Sequence, residues 1–84
     1  MQIWYVYILE CSDNTLYTGI TNDLDKRINK HNNGTGAKYT KYRSPVKLLT
    51  YFSCDSKSEA SKLEYKIKKL KRKDKLNLIK ENNK

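Results

Sequence analysis

The fold of this chain is decided by one stretch near its start, Ile3-Trp4-Tyr5-Val6-Tyr7-Ile8-Leu9-Glu10-Cys11. Up to Leu9, its odd-numbered and its even-numbered positions are all apolar or aromatic, whereas a strand with one solvated face alternates with polar residues. A strand that is covered on both faces has this pattern. The stretch therefore predicts a buried central strand, with other elements packed on each side of it.

Two further strands are predicted from the turn and breaker residues beside them. Ser12-Asp13-Asn14 is a turn sequence, because Asp and Asn tolerate left-handed backbone, so Thr15–Ile20 is expected to pair with the first strand as a hairpin. Gly19 indicates a bulge or a close backbone approach. Pro45 blocks a helix and leads into a third strand, Val46–Cys54. The core face of that strand is either Val46, Leu48, Thr50 and Phe52 or Lys47, Leu49, Tyr51 and Ser53.

A first helix is predicted after Thr21-Asn22, which is a plausible capping pair. Leu24 and Ile28 are four residues apart and form its apolar stripe. Arg27 and His31 have the same spacing and form a second stripe that borders the first. This helix therefore presents a guanidinium and an imidazole beside the core.

A second helix is predicted from Ser56-Lys57-Ser58-Glu59, which fits a capping box. Its apolar face is expected to consist of Ala60, Leu63, Ile67 and Leu70, and its end to lie near Asp74. The order of strands and helices predicts an α+β domain, with a three-stranded antiparallel sheet flanked by helices.

A basic loop connects the first helix to the third strand. Gly34 suits the left-handed position just past a helix, and the loop 34–44 then interleaves basic residues with Tyr39 and Tyr42. Five basic residues are expected to contact nucleic acid, namely Lys38, Lys41 and Arg43 in this loop and Lys68 and Lys71 on the last helix.

The composition predicts a polyanionic partner. The 84 residues include 18 Lys and Arg against 9 Asp and Glu, a formal net charge of +9, and phosphate backbones are the usual targets of small basic domains. The length predicts a single domain, 1–84, with a core over about 3–73 and a disordered tail over 80–84. Two cysteines, Cys11 and Cys54, form neither a CxxC zinc motif nor a disulfide framework.

The sequence shows no export signal and no membrane anchor. Its first residues lack a basic region and a small-residue cleavage site. We therefore expect a cytoplasmic protein with no membrane partner and no small-molecule cofactor. No pattern in the sequence predicts its oligomeric state.

Five side chains have the chemistry that phosphodiester hydrolysis requires, and the predicted fold allows them to share one surface. They are Tyr7 and Tyr17 on adjacent strands, Arg27 and His31 on the first helix, and Glu64 at the margin of the last helix's apolar stripe. The attacking hydroxyl needs a base, and the phosphoryl oxygens need a cation. Mg²⁺ can be held by as few as one or two carboxylates. The set therefore fits metal-assisted hydrolysis.

Two tyrosine segments and three single residues resemble, in order and spacing, the motifs of the GIY-YIG nuclease domain. They are Tyr5-Val6-Tyr7, Tyr17-Thr18-Gly19, Arg27, His31 and Glu64. The first segment has Tyr and Val where the family has Gly and Ile, and the second differs only in its middle residue. Tyr7, Tyr17 and Arg27 follow one another at intervals of ten residues. The resemblance covers about residues 3–80 and is greatest to short, stand-alone bacterial members.

The resemblance implies a three-stranded antiparallel sheet flanked by helices and a DNA endonuclease that acts on ends, nicks or branched intermediates in repair or recombination. It implies that Tyr7 is the base that activates water and that Tyr17 positions water or phosphate. Arg27 would stabilise the transferring phosphate, and His31 would assist near the same phosphate. Glu64 would be the single protein ligand of Mg²⁺ or Mn²⁺.

Each of these residues also has a purely structural interpretation. Tyr7 and Tyr17 fit cross-strand core aromatics, and Glu64 fits a surface pair with Lys68 at i,i+4. Arg27 fits a solvated helix arginine, and His31 fits a cation near a helix C-terminus. The alternative function is therefore a catalytically weak or inactive nucleic-acid-binding domain of the same fold, which the lack of an attached DNA-reading domain favours. A protein-interaction module that recruits repair factors is a third possibility.

Overall fold

The first strand lies at the centre of the sheet, as the sequence predicts. A computed structural model describes residues 2–84. Its strands are β1 (Trp4–Glu10), β2 (Leu16–Thr21) and β3 (Lys47–Cys54), and its helices are α1 (Leu24–Asn32), α2 (Lys57–Lys68) and α3 (Arg72–Asn82). The strands form one antiparallel sheet in the order β2-β1-β3. The predicted α+β architecture is confirmed, and the strand bounds differ from the predicted ones by one residue.

Both faces of the sheet are covered, which explains why β1 has no polar face. Val6 and Ile8 are fully buried on the side that packs against α2 and α3, here called the α2 face. Tyr7 and Leu9 are fully buried on the opposite side, beside α1, here called the α1 face. Burial of an aliphatic side chain of this size stabilises a fold by roughly 1.5–3 kcal/mol.

The third strand uses both of its faces, so neither predicted core face is correct alone. Phe52 pairs with Val6 and packs on the α2 face, whereas Leu48 pairs with Leu9 and packs on the α1 face. The register shifts just before Leu9 of β1, which makes Leu49 an extra residue in β3. An extra residue of this kind changes which side the following side chains occupy.

The first helix starts later than predicted. Asp23 is its N-cap rather than Thr21-Asn22, and its carboxylate accepts a hydrogen bond from the backbone N–H of Lys26 at 3.2 Å. The Thr21 hydroxyl oxygen accepts instead from the backbone N–H of Asp23 at 3.1 Å. Thr, Asn and Asp are all good caps, so their identities alone do not separate these positions. The helix is followed by Gly34 at φ 78°, as predicted.

The second helix starts as predicted and positions Glu64. The Ser56 hydroxyl oxygen accepts from the backbone N–H of Glu59 at 3.1 Å. Ala60 and Ile67 are buried against the sheet. Glu64 lies one turn after Ala60 and at the side of this buried stripe, so its carboxylate is partly shielded by the fold.

The C-terminal part differs most from the prediction. The second helix ends at Lys68 rather than near Asp74, which lies in the first turn of α3. An acid is favourable there because it faces the positive end of the helix dipole. The tail 80–84, predicted to be disordered, contains the last turn of α3. The predicted core over 3–73 is therefore too short.

Two asparagine side chains tie the end of α3 to the outer strand β3. Asn82 Nδ2 donates to the carbonyl of Tyr51 at 2.9 Å, and Asn83 Nδ2 donates to the carbonyl of Leu49 at 2.8 Å. The hydroxyl of Thr50, which is buried, donates to Asn83 Oδ1 at 2.8 Å. These bonds give the tail an ordered position that its composition does not predict.

Candidate active site

Three of the predicted site residues form one hydrogen-bonded group on the α1 face. Tyr7 and His31 are both fully buried. The Tyr7 hydroxyl oxygen lies 2.8 Å from His31 Nε2, and Arg27 Nε donates to the same oxygen at 3.4 Å. Because Arg27 and His31 are four residues apart on α1, both side chains lie on the side of the helix that meets β1.

The proton positions in this group follow from a fourth residue, Thr40. The Thr40 hydroxyl donates to the carbonyl of Ala37 at 3.1 Å, so its oxygen accepts from His31 Nδ1 at 2.7 Å. His31 Nδ1 then carries the ring proton, and His31 Nε2 is an acceptor, a tautomer assigned from the hydrogen-bond network. The Tyr7 hydroxyl therefore donates to Nε2. A path for a proton leads from the Tyr7 oxygen into the imidazole.

Burial and the Arg27 charge determine the protonation states of Tyr7 and His31. Burial raises the pKa of Tyr7, and the hydrogen bond from Arg27 opposes that change. The same bond raises the pKa of Arg27. Burial, together with the nearby Arg27 charge, lowers the pKa of His31 to about 4. At neutral pH the group is therefore a phenol, a guanidinium cation and a neutral imidazole whose Nε2 accepts the hydrogen bond from Tyr7.

Tyr17 packs against this group. Its ring centroid lies 5.2 Å from that of His31 and 6.3 Å from that of Tyr7. Its other neighbour is Tyr39, stacked at 5.7 Å. The backbone at Gly19 passes close to Tyr7, since a Cβ at position 19 would lie 2.5 Å from the Tyr7 hydroxyl oxygen. The predicted close backbone approach at Gly19 is confirmed. Because glycine has no side chain, it leaves room for the Tyr7 hydroxyl.

Glu64 lies on the other layer of the fold and is not part of the hydrogen-bonded group around Tyr7. It belongs to α2, which packs on the α2 face, whereas Tyr7 points to the α1 face. Its side chain is 23% exposed and its carboxylate lies 3.4 Å from Lys68 Nζ. Its negative charge makes a small contribution to the raised pKa of Tyr7, so the two groups are electrostatically coupled without a hydrogen bond between them.

The donor set fits a hard divalent cation that keeps most of its water. Within residues 2–84, no group of three or more His, Cys, Asp or Glu side chains is arranged to hold a metal ion. A partly exposed single carboxylate is nevertheless enough for Mg²⁺, which retains several waters and often binds through one or two carboxylates. Glu64 meets this description, and its charge acts weakly on Tyr7.

The predicted nucleic-acid contacts differ in their exposure and in whether their charged groups already have partners. Lys38, Lys41 and Lys71 are exposed, and Lys68 is exposed but paired with Glu64. Arg43 is held inside its own turn, because its guanidinium donates to Asp13 at 2.9 Å and to the Tyr39 carbonyl at 2.7 Å. The phosphate contact assigned to Arg43 stays a prediction.

Thr40 and Gly36 are site residues that the sequence analysis did not single out. Thr40 is fully buried and sets the tautomer of His31. A Cβ at position 36 would lie 2.8 Å from both the backbone nitrogen and Nδ1 of His31, so the loop needs glycine there to approach the helix. Neither residue belongs to an apolar repeat, so periodicity gives no signal for them.

Lys26 and Lys30 are two further residues that sequence reasoning missed. Together with Arg27 they line a cleft of about 210 Å³ at the start of α1. The same cleft is lined by one carboxylate, that of Asp23, so three cations against one acid leave a positive surface that favours an anion such as a phosphate. Their one-turn spacing in the sequence is a signal, but it is shared by many solvated helix faces.

The buried His31 predicts a pH-dependent stability. Its pKa is about 4 in the folded protein and about 6.5 in an unfolded chain. As the pH falls through this window the unfolded chain binds a proton that the folded protein does not, so the free energy of unfolding should decline. The stability is complete above about pH 6.5.

Urea denaturation between about pH 7 and pH 4.5 measures this effect. A His31→Gln variant lacks the titrating group, so its free energy of unfolding should depend less steeply on pH than that of the wild type. The remaining slope of the variant reports the carboxylates that both proteins share. Parallel pH profiles for the two proteins would contradict the buried neutral state of His31.

Comparison with known proteins places the chain in one family. A family model described as "GIY-YIG catalytic domain" matches residues 3–77. The chain is 60% identical over 75 residues to a UPF0213 protein of Clostridium perfringens, an alignment that covers 89% of this chain and 81% of that protein. It is 57% identical over 77 residues to a UPF0213 protein of Staphylococcus saprophyticus, with 92% and 94% covered.

Two solved structures have a similar fold. The solution NMR structure of a UPF0213 protein from Bacillus halodurans has a TM-score of 0.61 and 49% identity, with 93% of this chain and 83% of that chain covered. The solution NMR structure of a protein from E. faecalis has a TM-score of 0.65 and 33% identity, with 100% and 91% covered. Among residues 2–84, no helix combines the length and the apolar character needed to cross a bilayer.

Proposed function

Because this chain belongs to the GIY-YIG domain family, we propose that it is a nuclease that hydrolyses phosphodiester bonds in DNA with the help of Mg²⁺ or Mn²⁺. We further propose that it acts in the cytoplasm on DNA repair or recombination intermediates. The observation that carries the proposal is the bond from the Tyr7 hydroxyl to His31 Nε2. A core tyrosine needs a partner for its hydroxyl, but it does not need one that can take its proton.

Tyr7 and His31 act together on the attacking water. The pKa of Tyr7 is raised by burial, so Tyr7 is a phenol at neutral pH and a poor base alone. As the water gives its proton to the Tyr7 oxygen, the phenol proton moves to His31 Nε2, whose lone pair faces it. A phosphate bound at Arg27 offsets the positive charge that helps to lower the pKa of His31, so the imidazole is a better acceptor when substrate is present. Thr40 keeps the other ring nitrogen protonated. This pairing extends the role that family resemblance gives to Tyr7.

Arg27 stabilises the negative charge that develops during attack. Its guanidinium contacts the Tyr7 oxygen and lines the cleft that it shares with Lys26 and Lys30. A phosphate in that cleft meets three cations, which favours the transition state where its charge is greatest. Tyr17, packed against His31, limits where the phosphate and water can lie.

Glu64 is the proposed holder of the metal ion. A bound Mg²⁺ or Mn²⁺ would stabilise the charge on the leaving 3′ oxygen as a Lewis acid. Glu64 has no polar partner other than Lys68 within the part of the chain that the structure describes. An exposed i,i+4 pair contributes only about 0.3–0.5 kcal/mol, so it does not prevent Glu64 from binding a cation.

A catalytically weak or inactive DNA-binding domain is the second candidate. The observation that favours it is the single carboxylate, which already has Lys68 as a partner. A nicking assay on plasmid and branched DNA separates the two functions, with the protein incubated in Mg²⁺, in Mn²⁺ and in EDTA. The nuclease proposal expects cleavage with either ion and none in EDTA. Binding without cleavage in all three conditions would favour the second candidate.

Binding to DNA is expected to weaken steeply as salt rises. The net charge is +9, and each phosphate contact contributes about −0.9 to the slope of log affinity against log salt on duplex DNA. Fluorescence anisotropy in EDTA at several salt concentrations measures this slope. A double variant, Lys38→Ala with Lys71→Ala, should make the slope shallower by about 2. An affinity that does not change with salt would rule out a phosphate-dominated interface.

A further inference from the structure

Tyr42 is an aromatic side chain that the fold does not use. It is 86% exposed, the most exposed of the large hydrophobic side chains in residues 2–84. A single exposed apolar residue is ordinary on a protein surface. Tyr42 differs from such a residue because of the turn that carries it and because of what that turn contacts.

The turn around Tyr42 is held rigidly on both sides. Arg43 N donates to the Thr40 carbonyl at 3.0 Å, and the Arg43 carbonyl accepts from Ser12 N at 2.8 Å. The Arg43 guanidinium also bonds Asp13 and lies 4.2 Å from the centroid of the Tyr39 ring. The backbone on which Tyr42 sits is therefore fixed, while its own ring remains exposed.

The same turn is bonded to the candidate active site. Thr40 bonds His31, and Tyr39 stacks on Tyr17. Two residues of chain span at most about 7 Å between Cα atoms, so Tyr42 lies close to the part of the turn that contacts His31. A DNA strand held at the site can reach Tyr42 within a few nucleotides.

The charges around Tyr42 favour a polynucleotide over other partners. The loop 34–44 contains Lys38, Lys41 and Arg43 and no acidic residue. Lys41 Nζ lies 5.4 Å from the centroid of the Tyr42 ring, on one side of it. An aromatic ring with an ammonium group beside it combines the two contacts that single-stranded nucleic acids use, a stacked base and a neutralised phosphate.

We propose that Tyr42 is a stacking platform for an unpaired base of the DNA substrate. Both faces of a base inside a duplex are covered by its neighbours, and a terminal pair is held in the helix with one face covered, whereas an unpaired base can turn a free face toward the ring. This inference rests on the proposed function and narrows its substrate class. The preferred substrates are DNA molecules with unpaired nucleotides near the scissile phosphate, such as overhangs, flaps and frayed ends, rather than blunt duplex.

The test measures binding in EDTA, where no cleavage occurs. Fluorescence anisotropy compares a duplex with a single-stranded overhang and a blunt duplex, using the wild type, Tyr42→Ala, Tyr42→Phe and Tyr65→Ala. Tyr65 is the matched control, because it is a 61% exposed tyrosine with Lys69 Nζ 4.2 Å from its ring centroid, but it lies on α2. The high exposure of Tyr42 means that its replacement leaves the fold intact.

Tyr42→Ala is expected to weaken binding to the overhang DNA roughly 5- to 150-fold, the equivalent of about 1–3 kcal/mol per stacked base. Binding to blunt duplex should change much less, because phosphate contacts rather than stacking dominate it. Tyr42→Phe should bind like the wild type, since stacking needs the ring and not the hydroxyl. Tyr65→Ala should also bind like the wild type.

Three results would overturn the inference: an unchanged affinity of Tyr42→Ala for overhang DNA, an equal loss on both DNAs, or an equal loss in Tyr65→Ala. The proposed function fails separately. If the protein shows the expected binding pattern but cleaves no DNA in Mg²⁺, the nuclease proposal is wrong and the stacking proposal stands. If the protein cleaves DNA but Tyr42→Ala does not change its binding, the nuclease proposal stands and the stacking proposal is wrong.

Discussion

Replacing Glu64 with glutamine is expected to abolish Mg²⁺-dependent cleavage, with a loss of more than about 10³-fold in rate. Glutamine has the shape of glutamate without its charge, and a bound metal supplies several kcal/mol of transition-state stabilisation, at about 1.4 kcal/mol for each factor of ten. The fold should be little affected, because Glu64 loses only its exposed partner Lys68. Single-turnover cleavage at saturating DNA, together with thermal unfolding, measures both effects.

The matched control for Glu64→Gln is Glu59→Gln. Glu59 is also on α2, but its carboxylate accepts from the backbone N–H of Asp55 at 3.3 Å and belongs to the start of the helix. The control should cleave at the wild-type rate. An active Glu64→Gln variant would contradict the assignment of Glu64 as the metal ligand. Glu64 would then be only the partner of Lys68. Equal inactivity of both variants would show that α2 tolerates neither change.

Replacing Tyr7 with phenylalanine is expected to slow cleavage by roughly 10²- to 10⁴-fold, the usual contribution of general acid–base catalysis. The change removes the oxygen that bonds His31 at 2.8 Å and leaves a buried ring nitrogen without a donor. That loss should also cost about 1–3 kcal/mol of stability. The rate is therefore measured at a temperature where circular dichroism shows the variant to be folded.

Two further variants separate a proton path from simple destabilisation. Tyr5→Phe removes a hydroxyl from the same strand outside the site, so it should leave the cleavage rate unchanged. His31→Gln should slow cleavage, and the double variant Tyr7→Phe with His31→Gln should be no slower than the slower single variant, because residues that act as a unit are not additive. Multiplicative losses in the double variant would mean that Tyr7 and His31 act independently.

The grouping of Tyr7, Tyr17, Arg27 and His31 follows from regular periodicity. Strand pairing places Tyr7 opposite Gly19 and close to Tyr17, and the helical repeat places Arg27 and His31 on one side of α1. These are short-range consequences of the apolar pattern. For this reason a one-residue error in a strand bound or a helix cap did not disturb the predicted group.

The parts that could not be predicted are those that no regular repeat of apolar residues encodes. Thr40 lies in a loop without periodicity, and its burial results from a bond to a side chain nine residues away. The extra residue Leu49 in β3 is visible only in the pairing with β1. Only Ile79 is buried in α3, so the helix has too weak an apolar stripe to be recognised from the pattern alone.

The bonds from Asn82 and Asn83 to β3 have a consequence for how this chain meets other chains. An edge strand with free carbonyls is a template on which a strand of another molecule can add, and this is a common start of aggregation. The carbonyls of Leu49 and Tyr51 are already occupied by side-chain amides. A strand that added at these two positions would first have to displace both amides. If the chain gathers along DNA as proposed, these two bonds make this part of the edge a poorer template for pairing with a neighbouring copy.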